Sequence, residues 1–351
     1  MIISSKTVKR FDPAGMYHSI SEFPAQVEEA VEIGTESRLA GLKGRFSAIV
    51  MAGMGGSAIG GDLLRSYASQ ELAVPFVVSR SYVLPEFVNS STLVIVSSYS
   101  GNTEETLEAY TAARAKRARI LCLTTGGKVH RIAKKNGDPV ISIIPGLQPR
   151  AAVGYSFFPL LIAFIRLGLL KKRDGDLAET IGLLWRLSRR YGDYRSTTNR
   201  AIGLASALHG KLPIIYSATD HLDAINVRWR SQLSENAKQL AYGHVLPELN
   251  HNEIVGWDVN PNLMKKTAVV FLKDRGIHRR VRRREAITES IVRRHAGAVL
   301  EAASEGSSLL ARMFSLVHLG DWVSYYLALL NRRNPTPVTV IEHLKGELSK
   351  A

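Results

Sequence analysis

The chain has 351 residues, 45% hydrophobic and 22% charged, with 46 lysines and arginines against 31 acidic residues, a formal net charge of +15. That length allows two domains with sizeable cores, and a single cysteine, Cys122, excludes an intramolecular disulfide framework and a cysteine-built zinc site. The opening MIISSKTVKRFDPAG lacks a secretory apolar region, and FFPLLIAFIRLGLL (157–170) is short for a span and broken by Arg166, so the expectation is a cytoplasmic protein with no membrane partner.

The first 40 residues predict helix, since HSISEFPAQVEEAVEIG recurs near period 3.6. FSAIVMA (46–52) reads as a buried strand and 57–68 as the following helix. Between and into them runs GMGGSAIGG, with five glycines in nine positions. Glycine is costly to order, so such a cluster points to unusual dihedrals or a close backbone approach. Loop amides and a helix N-terminus also favour an anion there. GMGGSA fits the dinucleotide pattern through Gly53, Gly55 and Ala58. It equally fits a small-phosphate pocket at Gly56 with Ser57 as a hydroxyl donor. The next strand, VPFVVS (74–79), offers Arg80 where a ribose-binding acid is expected; an arginine could serve a 2′-phosphate, so both readings stand.

Strand STLVIVSS (91–98) leads into SSYSGNTEETLEA. Ser98, Ser100 and Thr103 set three hydroxyls around Gly101 and Asn102 at a helix start, with Glu104 and Glu105 suiting its first turn. Three hydroxyls plus exposed amides can satisfy several oxygens of one phosphate. Strand 119–125, a short helix, strand 139–144 and helix 150–170 complete this unit. Residues 171–200 are charged and mostly helical, a connector. A second alternation has strand 211–219, helix 221–238, strand 267–274, a basic helix and strand 297–303, without a second glycine loop. Helix 307–331 and a last helix close the chain. Strands interleaved with helices predict an α/β protein with doubly wound parallel sheets flanked by helices. Loops at the carboxyl edge of such a sheet are where ligands sit.

Nine lysines or arginines fall in KDRGIHRRVRRREAITESIVRRH (273–295). The run has no interleaved aromatics for base stacking, so a solvated helix face is favoured over nucleic-acid binding.

SSYSGNTEET is close to the S-x-S-G-x-T signature of sugar-isomerase (SIS) domains. With GMGGSAIGGD, QPRAAVGYS and SENAKQLAYGHVLPELNHNEIVGW, it resembles the bifunctional phosphoglucose/phosphomannose isomerases, in order and spacing from about residue 10 to the C-terminus. The resemblance implies two SIS domains (41–170 and 201–306), preceded by the helical segment 1–40, joined by the connector 171–200, and followed by C-terminal helices 307–351 that complete the active site. It also implies a sugar 6-phosphate substrate, no cofactor and a homodimer. The family's phosphate site falls on Ser57, Ser98, Ser100 and Thr103, its arginine on Arg150, its glutamate on Glu235, its histidine, supplied by the other subunit, on His251, and its C-terminal lysine on Lys345. A threonine that makes room for either epimer matches Thr336 or Thr339.

The residue types suit the chemistry. Aldose–ketose isomerisation moves a proton between C2 and C1 through an enediol, which a carboxylate can carry both ways. Glu235 is the candidate base and Glu253, in NHNEI, its rival. His251 with Lys345 suits ring opening, and Arg150 suits the negative charge of an enediolate. The histidines lack metal-ligand spacing, so no metal is expected.

Overall fold

The computed structural model describes residues 3–42, 44–348 and 350. It forms two compact units: Glu22–Ile181, and the chain up to Ser21 together with everything from Gly182 on. Two short helices, α1 (Ser5–Phe11) and α2 (Met16–Ser21), therefore belong with the C-terminal part.

The unit Glu22–Ile181 begins with α3 (Phe23–Glu36). It then alternates β1 (Ala48–Ala52), α4 (Gly55–Ala68), β2 (Phe76–Ser79), β3 (Thr92–Ser97), α5 (Glu104–Ala115), β4 (Arg119–Thr124), α6 (Gly127–Asn136), β5 (Val140–Ser142) and α7 (Val153–Arg166). All strand pairs are parallel, in the order β2-β1-β3-β4-β5. β1 and β3 are buried along their whole length, as continuous apolar strands covered on both faces should be. On one face Val50, Val94, Val96 and Ile120 pack with Ala109, Tyr110 and Val129. Cys122 lies in this layer, fully buried, and burial pushes its thiol pKa up.

The strand order reverses between β1 and β3. Connections leave these neighbours in opposite directions, opening a crevice at their carboxyl ends. The glycine loop follows β1 and the serine loop follows β3.

Helix α8 (Asp174–Gly192) leads on to α9 (Arg200–Leu208), β6 (Leu212–Ala218), α10 (Asp223–Glu235), β7 (Tyr242–Leu246), α11 (Pro261–Met264), β8 (Thr267–Lys273), α12 (Arg279–Val292), β9 (Ala298–Ala303), α13 (Leu309–Leu330) and α14 (Thr339–Leu348). The second sheet is also parallel, in the order β7-β6-β8-β9. Its α/β architecture and that of the first sheet match the expected fold class.

Helix α13 is buried along nearly its whole length. Its 22 residues are long and apolar enough to cross a membrane, although its most apolar window is wholly buried inside the protein. Arg312 and Asp321 mask this run in the sequence. Helix α10 packs closely on α13 at Gly320, where an added Cβ would lie 2.5 Å from Trp229 Nε1. That indole donates to the Leu316 carbonyl at 2.9 Å.

Candidate functional site

Within the first unit, the two loops and the turn carrying Arg150 converge. Gly56 makes this possible. A Cβ there would sit 2.4 Å from the Pro149 carbonyl oxygen, so only glycine lets the start of α4 press against the 3₁₀ turn Pro149–Ala151. Gln26 of α3 holds that turn from behind, donating from Nε2 to Ala151 O at 2.9 Å and accepting from Gly154 N–H at 2.8 Å. Arg150 is buried, with 3% exposure.

The loops are tied to each other directly. Ser57 Oγ accepts from the Tyr99 N–H at 3.0 Å, and Ser97 Oγ lies 3.5 Å from the Ser57 carbonyl. Because Ser57 accepts here, its own proton is left for another acceptor. Ser98 Oγ lies 2.9 Å from Thr103 Oγ1 and accepts from the Gly101 N–H at 3.1 Å. Ser100 is exposed and accepts from the Asn102 N–H at 3.3 Å. Neither Met54 nor Thr103, the residues preceding α4 and α5, gives its own helix a side-chain cap. First-turn amides of two helices thus face the end of one crevice, a favourable setting for an anion.

Tyr99 is the hub that sequence reading passed over. Its carbonyl accepts from both the N–H and the Oγ1 of Thr125, and its hydroxyl donates to Ile144 O and accepts from Leu147 N–H. Arg80 is already engaged, in an ion pair with Asp62 of α4. The guanidinium that a 2′-phosphate would need is therefore committed to the protein.

In the second unit, Glu235 is the last residue of α10 and is half-buried. It lines a cavity of about 410 Å³ with Ser234, Lys238, Val338, Thr339 and Ile341. Of the two C-terminal threonines, Thr339 lines this cavity and Thr336 does not. His251 and Lys345 are exposed and do not line it.

Glu253, the rival base, has another task. Its two carboxylate oxygens accept from the hydroxyls of Tyr216 and Tyr242, the latter at 3.0 Å, and Trp257 Nε1 donates to Tyr216 at 3.2 Å. Burial first, then Glu253, pushes the Tyr216 pKa up, so this phenol keeps its proton. Glu253 thereby anchors the irregular segment after β7 to the sheet.

The second sheet also reverses its order, between β6 and β8, but its own carboxylate fills the place. Asp274, immediately after β8, accepts from His221 Nε2 (2.8 Å), Gly276 N (2.6 Å), Ser304 Oγ (2.6 Å) and Arg312 Nε (2.9 Å). Burial alone would raise the Asp274 pKa, but these donors hold it well below the usual carboxylate range.

Residues 197–348 match the family model described as the bacterial phospho-glucose isomerase C-terminal SIS domain. The chain is 45% identical over 336 residues to a bifunctional phosphoglucose/phosphomannose isomerase of Caldicellulosiruptor bescii, covering 95% of this chain and 99% of that one. The chain belongs to the bifunctional phosphoglucose/phosphomannose isomerase family. A second member, from Thermoplasma acidophilum, is 37% identical over 306 residues, 87% of this chain and 91% of its own. In fold, a hypothetical protein of Thermus thermophilus superposes with a TM-score of 0.76 at 15% identity, over 98% of this chain and 92% of that one.

Proposed function

We propose that this chain is an aldose–ketose isomerase that interconverts fructose 6-phosphate with glucose 6-phosphate and mannose 6-phosphate, without a cofactor or metal. The observation that carries the reading is family membership along 95% of the sequence. The β1–β3 crevice supports it. Gly56, Ser57, Ser98, Ser100 and Thr103 are the phosphate ligands in this reading, using hydroxyls and helix-start amides.

Glu235 is the base. Starting from an aldose, its carboxylate takes the C2 proton, the C2–H electron pair becomes the C1=C2 bond, and the carbonyl π electrons go to O1. Arg150 steadies the resulting enediolate. Return of the proton to C1, and transfer of the O2 proton to O1, gives the ketose. His251 and Lys345 move the protons that open the ring. In this reading the enzyme is a cytoplasmic homodimer of carbohydrate metabolism, acting in glycolysis and gluconeogenesis, and His251 serves the neighbouring copy's site; its exposure supports such sharing. Thr339, lining the Glu235 cavity, is the threonine that makes room for both epimers.

The test supplies fructose 6-phosphate and measures both aldose phosphates by coupled assays, with and without chelator. Both products form, at rates the chelator leaves unchanged. Glu235→Gln lowers kcat by about 10³, within the range for loss of a general base. Glucose 6-phosphate alone would remove the dual specificity, and full activity of Glu235→Gln would remove the base.

A further inference from the structure

Helix α10 carries a polar stripe where a core helix would ordinarily be apolar. Arg228, Gln232 and Asn236 recur every fourth residue, so they lie along one face. All three are buried, at 2%, 3% and 0% exposure. Each meets a polar group of α13. Arg228 Nη2 donates to both oxygens of Asp321 at 2.8 Å, Gln232 Nε2 to Asp321 Oδ1 at 2.7 Å, and Asn236 Nδ2 to Ser324 Oγ at 2.9 Å. Ser324 donates in turn to the Asp321 carbonyl at 2.8 Å. The other side of α10 is fixed to the sheet, where Asn226 Nδ2 donates to Ile215 O of β6 and His244 O of β7.

Apolar side chains would hold the two helices together with less desolvation. Replacing a buried ion pair by packed hydrophobic residues is often neutral or stabilising. What directional bonds add is register. A slip or rotation of α10 along α13 breaks all the rungs at once, whereas apolar packing tolerates it. The ladder ends at Asn236, beside Glu235. Lys238 extends the grip, donating from Nζ to the Glu235 and Pro335 carbonyls.

We infer that Arg228, Gln232, Asn236 and Asp321 are positioning residues, whose buried ladder sets the rotation and axial register of α10 and so aims the Glu235 carboxylate. The inference rests on the reading of Glu235 as the base.

The test is the double variant Arg228→Met/Asp321→Leu in the full-length protein. It unfolds at a temperature close to wild type and binds a sugar-alcohol 6-phosphate with unchanged affinity. Its kcat falls at least tenfold, KM for fructose 6-phosphate stays within about twofold, and the acid limb of its kcat/KM profile moves. A folded double variant with kcat within twofold of wild type overturns the ladder. Gln232→Met leaves the ion pair in place and carries the same test if the double variant does not fold. It loses threefold or more in kcat at constant KM, and an unchanged kcat overturns the inference. Glu235→Gln, assayed beside them, separates the two failures. If it is inactive while the ladder variants are fully active, only the ladder falls. If it is active, the base assignment falls, and the ladder's aim with it.

Discussion

At the scale of single residues, the β1–β3 crevice, the phosphate site of the proposed reading, depends on one missing side chain. A methyl at position 56 would overlap the Pro149 carbonyl, a backbone atom that cannot swing aside. Gly56→Ala therefore pushes α4 away from the Arg150 turn. It is expected to raise KM for fructose 6-phosphate by tenfold or more, measured by steady-state kinetics, with a stability loss of about 1–3 kcal/mol. Ser98→Ala removes a bond to Thr103 and one to Gly101, and a smaller rise in KM is expected. The contact between Ser98 and Thr103 was legible in the sequence because it is local: two hydroxyls a few residues apart at a helix start. Gln26, Tyr99 and Asp321 were not. Each acts on a partner tens of residues away, and nothing in the neighbourhood of a lone glutamine or tyrosine betrays that.

At the scale of elements, strands with continuous apolar runs, such as β1, β3 and β8, could be read to within about two residues. β7 could not. It is a half-buried edge strand with Gly243 inside it and exposed Tyr242 at its start, so neither periodicity nor apolar length marks it. α9 was hidden for the opposite reason, its small-residue sequence following a charged segment without a clear boundary. The loop after β8 carries its own prediction. Asp274 titrates well below its unfolded value near 3.9. Its contribution to stability is thus complete above about pH 4 and is lost as pH falls below that. Asp274→Ala leaves His221 and Arg312 without their carboxylate and is expected to cost about 3 kcal/mol at neutral pH. Denaturant titrations at pH 7 and pH 3 check this: the gap between wild type and variant narrows at the lower pH.

At the scale of the whole molecule, α14 is exceptional. It has no buried residue, yet Val340, Leu344 and Leu348 are 80%, 58% and 60% exposed. A helix whose apolar side chains all stand in water is a poor arrangement for a monomer. Light scattering on the purified protein is expected to return twice the mass of one chain; the mass of a single chain would remove the homodimer and the sharing of His251. The lone thiol has a practical consequence for such work. Cys122 lies fully enclosed in the first sheet and keeps its proton, so alkylating reagents find nothing to modify in the folded enzyme. A cysteine introduced on the surface away from α14 would accept a fluorophore or spin label without any background substitution.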